Sequence, residues 1–289
     1  MNVGLDSNKA TMEDVFAQNA LATYQVRGND FLTNPGRNYY EVQTMTNTTW
    51  DSYFVYAKNL TSGFLTKFDI QGGYSYQNFK NDGNKEIYRY NVTTGVRELE
   101  PNPNNPNNRY YNELNLQSFF GRMNLDFANK YLLTLSYRRD GSSLFREDKR
   151  WGNFPAAAFA WKMKEESFLK DATSVSTLKL RAGWGRTGNQ EIPSKITQAS
   201  STTSVTGSTS YPLYPTDIFS GGTTYARLAN PDIQWEVSTQ TDLGLDFGLF
   251  KGALTGSLDY FRKVSSKILL EVIPADPIQP ASTYWTNVP

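Results

Sequence analysis

The chain has 289 residues and a formal net charge of +1, from 29 basic and 28 acidic side chains, so it offers no electrostatic case for nucleic acid. Cysteine and histidine are both absent, which excludes disulfides, thiolate zinc sites, cysteine nucleophiles and histidine acid–base relays. Mean hydropathy is -0.56 and no apolar run is long enough for a membrane helix, yet the chain carries 18 Tyr, 17 Phe and 6 Trp.

That combination fits a secreted all-β domain or a transmembrane β-barrel, whose strands turn only half their side chains toward lipid. The opening Met1-Asn2-Val3-Gly4-Leu5-Asp6 lacks the basic start and apolar stretch of a signal peptide, so an exported protein would have its start elsewhere. A strand is expected over 48–57. In the next, Phe64, Thr66, Phe68, Ile70, Gly72, Tyr74 and Tyr76 alternate with Lys67, Asp69, Gln71, Ser75 and Gln77. A polar connection follows over about 80–112, with a Pro/Asn tract at Asn102–Asn108. Then Phe119, Gly121, Met123, Leu125 and Phe127 alternate with Arg122, Asn124 and Asp126. After a turn at Ala128-Asn129-Lys130, Tyr131, Leu133, Leu135 and Tyr137 alternate with Thr134, Ser136 and Arg138. The phase slips between Leu116 and Phe119, which suggests a bulge.

A connection over 140–153, a strand over 154–161 and a segment over 162–177 come next, the last with a helical turn expected near Glu165–Lys170. A strand over 178–186 leads into a long polar connection over 187–232. The strongest pattern closes the series. Ile233, Trp235, Val237, Thr239, Thr241, Leu243, Leu245, Phe247 and Leu249 share one face, and Gln234, Glu236, Ser238, Gln240, Asp242, Gly244, Asp246 and Gly248 the other. Phe250–Ala253 is a tight turn, and the return strand sets Leu254, Gly256, Leu258 and Tyr260 against Thr255, Ser257 and Asp259. Short connections (58–63, 128–130, 250–253) alternate with long ones, the habit of outer-membrane barrels. Trp235 and Phe247, twelve residues apart on one face, would stand roughly 28 Å apart along the membrane normal; they suit two aromatic girdles and two ordinary core aromatics of a long strand equally.

Ser118-Phe119-Phe120-Gly121-Arg122, Asn129-Lys130-Tyr131-Leu132-Leu133, Arg139-Asp140-Gly141-Ser142-Ser143 and Arg150-Trp151-Gly152-Asn153-Phe154-Pro155 follow one another in the chain. Glu165–Asp171, Leu178–Gly185, Thr187–Ile192, Asn230–Glu236 and Gly244–Gly248 continue the series. In order and spacing, over about 113–273, these resemble the SusC/RagA family of TonB-linked outer-membrane proteins. Residues 1–112 fit the same architecture without a motif. The resemblance implies a barrel of about 22 strands with a plug. It implies uptake of oligosaccharides or peptides, a SusD-like surface lipoprotein as lid, outer-membrane lipid around the barrel, and energy through TonB by way of missing N-terminal parts.

The expected fold is thus all-β: an antiparallel meander of about eight strands, with 1–289 forming part of a large barrel without plug or closure. Arg122, Asn124, Asp126, Arg138, Arg181, Asp242, Asp246 and Asp259 are expected to face the lumen. Leu133, Leu135, Leu243, Leu245, Phe247 and Leu258 are expected to face lipid. Tyr211, Tyr214, Phe219 and Tyr225, in the longest connection, suit packing of loop on loop and are also the candidate contacts for ligand or lid. No catalytic residue, cofactor or metal site is expected. Gly183-Trp184-Gly185-Arg186-Thr187-Gly188 matches G-x-G-x-x-G, but no apolar helix pattern follows it. The Asp242/Asp246 pair suits lumen polarity better than glycosidase chemistry, and Glu147-Asp148 suits a solvated loop better than a calcium site. The alternative reading is a secreted all-β glycan-binding or adhesin module.

Overall fold

The computed structural model describes residues 1–15, 37–61, 63–90, 94–99, 109–193, 196–197, 200–203, 211–212, 222–273 and 284–289. The strands are β1 (Asn2–Asp14), β2 (Arg37–Asn59), β3 (Leu65–Tyr90), β4 (Arg97–Leu99), β5 (Arg109–Phe127), β6 (Tyr131–Ser142), β7 (Trp151–Lys162) and β8 (Val175–Asn189). They continue as β9 (Ser200–Thr203), β10 (Tyr211–Pro212), β11 (Gly222–Arg227), β12 (Glu236–Leu249), β13 (Leu254–Ser266), β14 (Ile268–Val272) and β15 (Tyr284–Val288).

One antiparallel sheet runs β1-β2-β3-β5-β6-β7-β8-β12-β13, with β4 paired to β3. It is the expected meander, with β1 added as an edge strand that the sequence pattern did not disclose. The three-stranded sheet β10-β11-β9 lies within the β8–β12 connection, and β14 and β15 form a separate hairpin.

Each tight turn has a local cause. Ala128 and Asn129 both adopt positive φ, 53° and 57°, and Lys130 N–H donates to Phe127 O at 2.9 Å. Two left-handed central residues give the turn whose twist matches a hairpin. Phe250, Lys251 and Gly252 also have positive φ and close β12 onto β13. Helix near the expected place is a 3-10 turn, Met163–Glu165, and one α-helical turn, α1 (Ser167–Lys170). A second 3-10 turn forms at Phe250–Gly252. All these turns lie at one rim, the turn rim. The strand ends that precede and follow 91–108, 143–150 and 190–235 lie at the other, the loop rim.

Three expectations change. Among its described residues, the connection placed at 80–112 is largely strand, because β2, β3 and β5 run on well past the aromatic-rich part of the sheet. The phase slip before Phe119 is no bulge: β5 pairs without interruption through this stretch to both β3 and β6. The faces exchange character instead. Toward the loop rim, Leu114 and Leu116 share the face of Phe79, and Leu114 lines a cleft with Leu144 and Ile192. On the opposite face Asn78 donates to Glu113 and Asn115, both at 2.6 Å. Apolar side chains change face because the packed interior lies on the other side there.

The third concerns Trp235, whose core reading holds in place of the girdle one. It precedes β12 and is buried, tilted against Phe145 and edge-on to Phe154 at centroid distances of 5.5 and 5.4 Å. Its indole N–H donates to Arg150 O at 2.8 Å. It belongs to a small core of Phe145, Phe154, Ile192, Ile196, Ile233 and Leu269 at the loop rim, and does not share a membrane girdle with Phe247.

Candidate functional site

Cross-strand partners point to the same side of a sheet, so the register sorts the side chains. Arg122 faces Gln71 and Ser136; Asn124 faces Asp69 and Thr134; Asp126 faces Lys67; Arg138 faces Phe120 and Phe154. Across β8, β12 and β13, Arg181 faces Gly244, Gly244 faces Asp259, Asp242 faces Gly183, and Asp246 faces Lys179. All eight residues expected at the lumen therefore lie on one face. Leu133, Leu135, Leu243, Leu245, Phe247 and Leu258 lie together on the opposite face.

The polar face is a hydrogen-bonded surface. Asn124 donates to Asp69 and accepts from the Thr134 hydroxyl, both at 2.7 Å. Arg138 donates to Asp140 at 2.7 Å and to Ser118 at 2.7 Å. Arg181 reaches across β12, donating to Asp246 at 2.9 and 2.7 Å and to Asp259 at 2.9 Å. Gly244 makes that crossing possible: a Cβ there would stand 2.5 Å from Asp259 Oδ1 and 2.8 Å from Arg181 Cζ. The sequence showed Gly244 only as one member of the polar face; its role needs the register. Asp242 accepts from Gln240 at 2.8 Å. Asp126 accepts from the Thr66 hydroxyl at its backbone carbonyl, 2.9 Å, and at its carboxylate, 3.2 Å.

Nearer the loop rim, polar and aromatic groups converge. Tyr110 lies over Gly83 and donates to Glu41 at 2.7 Å, and Lys85 sits 5.0 Å from the Tyr39 ring. Asp6, Asn8, Met45, Asn81, Leu144 and Ile192 line an open cleft of about 470 Å³. These residues had no sequence signal beyond strand alternation. Tyr211 and Tyr225 have their backbones in β10 and β11; Tyr214 and Phe219 lie outside the described residues.

The opposite face is apolar and uncovered. Phe119, Leu135, Phe159, Leu180 and Leu243 are exposed there by 37–51%. Two chains of ring contacts bound it. Toward the turn rim, Phe64 meets Phe127 and Tyr131, and Tyr131 meets Trp161. Toward the loop rim, Trp50 meets Tyr74, Tyr74 meets Phe119, and Phe119 meets Trp151. Beyond the turn-rim rings, Glu166 accepts from Tyr131 at 2.6 Å, Lys130 at 2.9 Å and Trp161 at 3.1 Å. Those donors, the tyrosine hydroxyl foremost, hold its carboxyl down at about 2.

Gly183–Gly188 runs as regular strand paired to β12, with Gly183 and Gly185 paired to β7 as well, and lacks the strand-to-helix turn that a nucleotide site needs. Among the described residues no cluster of acidic side chains has the arrangement of a metal site.

The family model for TonB dependent receptor-like β-barrels matches residues 2–289. TonB-dependent receptor P3 of Formosa agariphila is 37% identical over 246 residues, 81% of this chain and 23% of that receptor. TonB-dependent receptor SusC of Bacteroides thetaiotaomicron is 36% identical over 245 residues, 83% of this chain and 24% of SusC. The chain thus spans about a quarter of the length of these relatives. Among solved structures, the RagAB peptide importer in its closed-closed state aligns with a TM-score of 0.74 over 99% of this chain and 30% of that one, at 19% identity, a likeness of fold.

Proposed function

Because the chain belongs to the TonB-dependent receptor-like β-barrel family, we propose that it forms part of the wall of an outer-membrane transporter of the SusC/RagA type. The observation that carries the reading is the uncovered apolar face between two lines of aromatic rings. A secreted module would bury such a face against a second sheet; a barrel turns it to lipid. The hydrogen-bonded face then lines the lumen, with Arg181, Asp246 and Asp259 as part of its charge lattice. Carboxylates committed to an arginine in this way serve a polar wall, not hydrolysis.

The cargo is a bulky nutrient, an oligosaccharide or a peptide, taken beneath a SusD-like surface lipoprotein. Tyr211, Tyr214, Phe219 and Tyr225 are assigned to ligand or lid contact from the connection that carries them. Plug and TonB contact are assigned to segments of the transporter other than residues 1–289.

The test is fluorophore labelling at single cysteines, Leu243→Cys and Asp242→Cys, in the full-length transporter with any other cysteine removed. Position 243 should be quenched by a lipid-borne quencher and position 242 by a water-soluble one. If 243 is shielded from both, it lies in a dry core and the membrane reading fails.

A further inference from the structure

The apolar face carries a charge pattern of its own. Tyr137 and Arg139, Trp184 and Arg186, and Tyr260 and Arg262 all project from it, each arginine two residues beyond an aromatic. They occupy β6, β8 and β13, strands that run from the turn rim toward the loop rim. On β6, β7, β8, β12 and β13 that face holds no other charged side chain.

The three arginines are level. Arg139 faces Asn153, and Arg186, next to the Gly185–Ala156 pair, falls two residues closer to the turn rim across two strands. Arg186 faces Thr239 and Arg262 faces Thr241, again two residues closer across two strands. The turns descend at the same rate. Tyr131 lies in the row of Leu258, yet β13 begins four residues lower, at Leu254, four strands away. One residue per strand, about 3.3 Å in about 4.8 Å, is a tilt of roughly 35°, that of a barrel strand. Arg139 is accordingly the eighth residue after Tyr131, and Arg262 the eighth after Leu254.

None of the three makes an ion pair among the described residues, whereas Arg138 and Arg181 on the polar face are both paired. Arg139 rests 5.1 Å from the Trp151 ring and Arg186 5.8 Å from the Trp184 ring, which leaves their charge unneutralised. Exposed guanidinium groups of one sign, unpaired among the described residues and a single pleat above aromatics, suit phosphate at a lipid–water boundary.

We propose that Arg139, Arg186 and Arg262 form a level belt that binds phosphorylated headgroups of the outer-leaflet lipid. This rests on the reading that the apolar face meets lipid. The leaflet follows from the rim, since long loops mark the external side. Neighbouring arginines stand roughly 12 Å apart at these spacings, which suits a headgroup bearing more than one phosphate.

The experiment measures lipid retained by the purified full-length transporter, by native mass spectrometry, with bisphosphorylated lipid A, the same lipid stripped of phosphate, and inorganic phosphate as probes. The wild type should hold the phosphorylated lipid in preference to the stripped one. The variant R139Q/R186Q/R262Q should hold it about a hundredfold less tightly, about fivefold for each arginine. Lys251→Gln, which removes a charge from a turn at the other rim, should hold it as the wild type does. Retention undiminished in the triple variant overturns the belt, and so does full displacement by millimolar phosphate. Loss of the surface lipoprotein with lipid retained would also overturn it, making these arginines a protein interface. Lipid quenching at position 243, read in the same variants, reports the membrane reading separately: the belt can fail while 243 stays quenched.

Discussion

Trp235 offers a sharp test, because its place in a loop-rim core and a place in a lipid girdle predict opposite behaviour. The indole is 7% exposed, packs against Phe145 and Phe154, and donates to Arg150 O at 2.8 Å. Trp235→Ala removes the ring and should cost about 3–5 kcal/mol. Trp235→Phe keeps most of the ring, loses the donor and should cost about 1–2 kcal/mol, chiefly for the carbonyl left unpaired. The meander is fastened by its own ladders, so the loss should appear locally. It should loosen Ile233, and β14 and β15, which join this core through Leu269 and Trp285. Amide hydrogen exchange of the full-length protein in lipid reads that opening. At about 1.4 kcal/mol per decade, Trp235→Ala should speed exchange in β14 and β15 by roughly two to three and a half orders of magnitude. Exchange along β12 and β13 should stay as in the wild type. Unchanged exchange in β14 and β15, or quenching of Trp235 fluorescence by a lipid-borne quencher, would refute the core placement.

Gly244→Ala should break the Arg181 crossing, because the new Cβ would fall 2.5 Å from Asp259 Oδ1; in an Arg181→Gln background the same change should have almost no effect on the unfolding midpoint, and additive effects would show that Gly244 acts otherwise. Glu166 has a folded pKa near 2, well below its ordinary value of 4.5. Its stabilisation should be full above about pH 4.5 and fade as pH falls from there through about 2, while Glu166→Gln removes that part of the pH dependence; thermal unfolding across that window checks it, and identical profiles would sink the assignment. Leu243→Arg should cost about 2–4 kcal/mol of barrel stability if the residue sits near mid-bilayer, and Asp242→Asn far less; equal costs in unfolding titrations would contradict the facing of the strand.

Alternation was enough to establish an all-β meander, the short turns and the two faces of β5, β6, β12 and β13. A period of two is a local property of the chain, and a side chain's face within a strand follows from its parity alone. All eight polar and six apolar positions accordingly fall on opposite faces. Parity cannot say what covers a face, and there the sequence misled. Trp235 keeps the parity of Phe247 yet precedes the strand and turns into a core built by Phe145, Phe154 and Ile233, residues distant along the chain. Leu114 and Leu116 appeared to slip phase because the apolar side changes once β5 passes the aromatic line. β1 went unread for a related reason: its side chains are exposed on both faces almost throughout, so no buried stripe marks it, and it is recognised by its pairing with β2. Register is likewise tertiary. Only the pairing of β8, β12 and β13 brings Arg181 over Gly244 to Asp246 and Asp259. Pairing from β6 through β7 and β8 to β13 likewise sets Arg139, Arg186 and Arg262 at one height, because the stagger between neighbouring strands is decided between strands and leaves no trace within one.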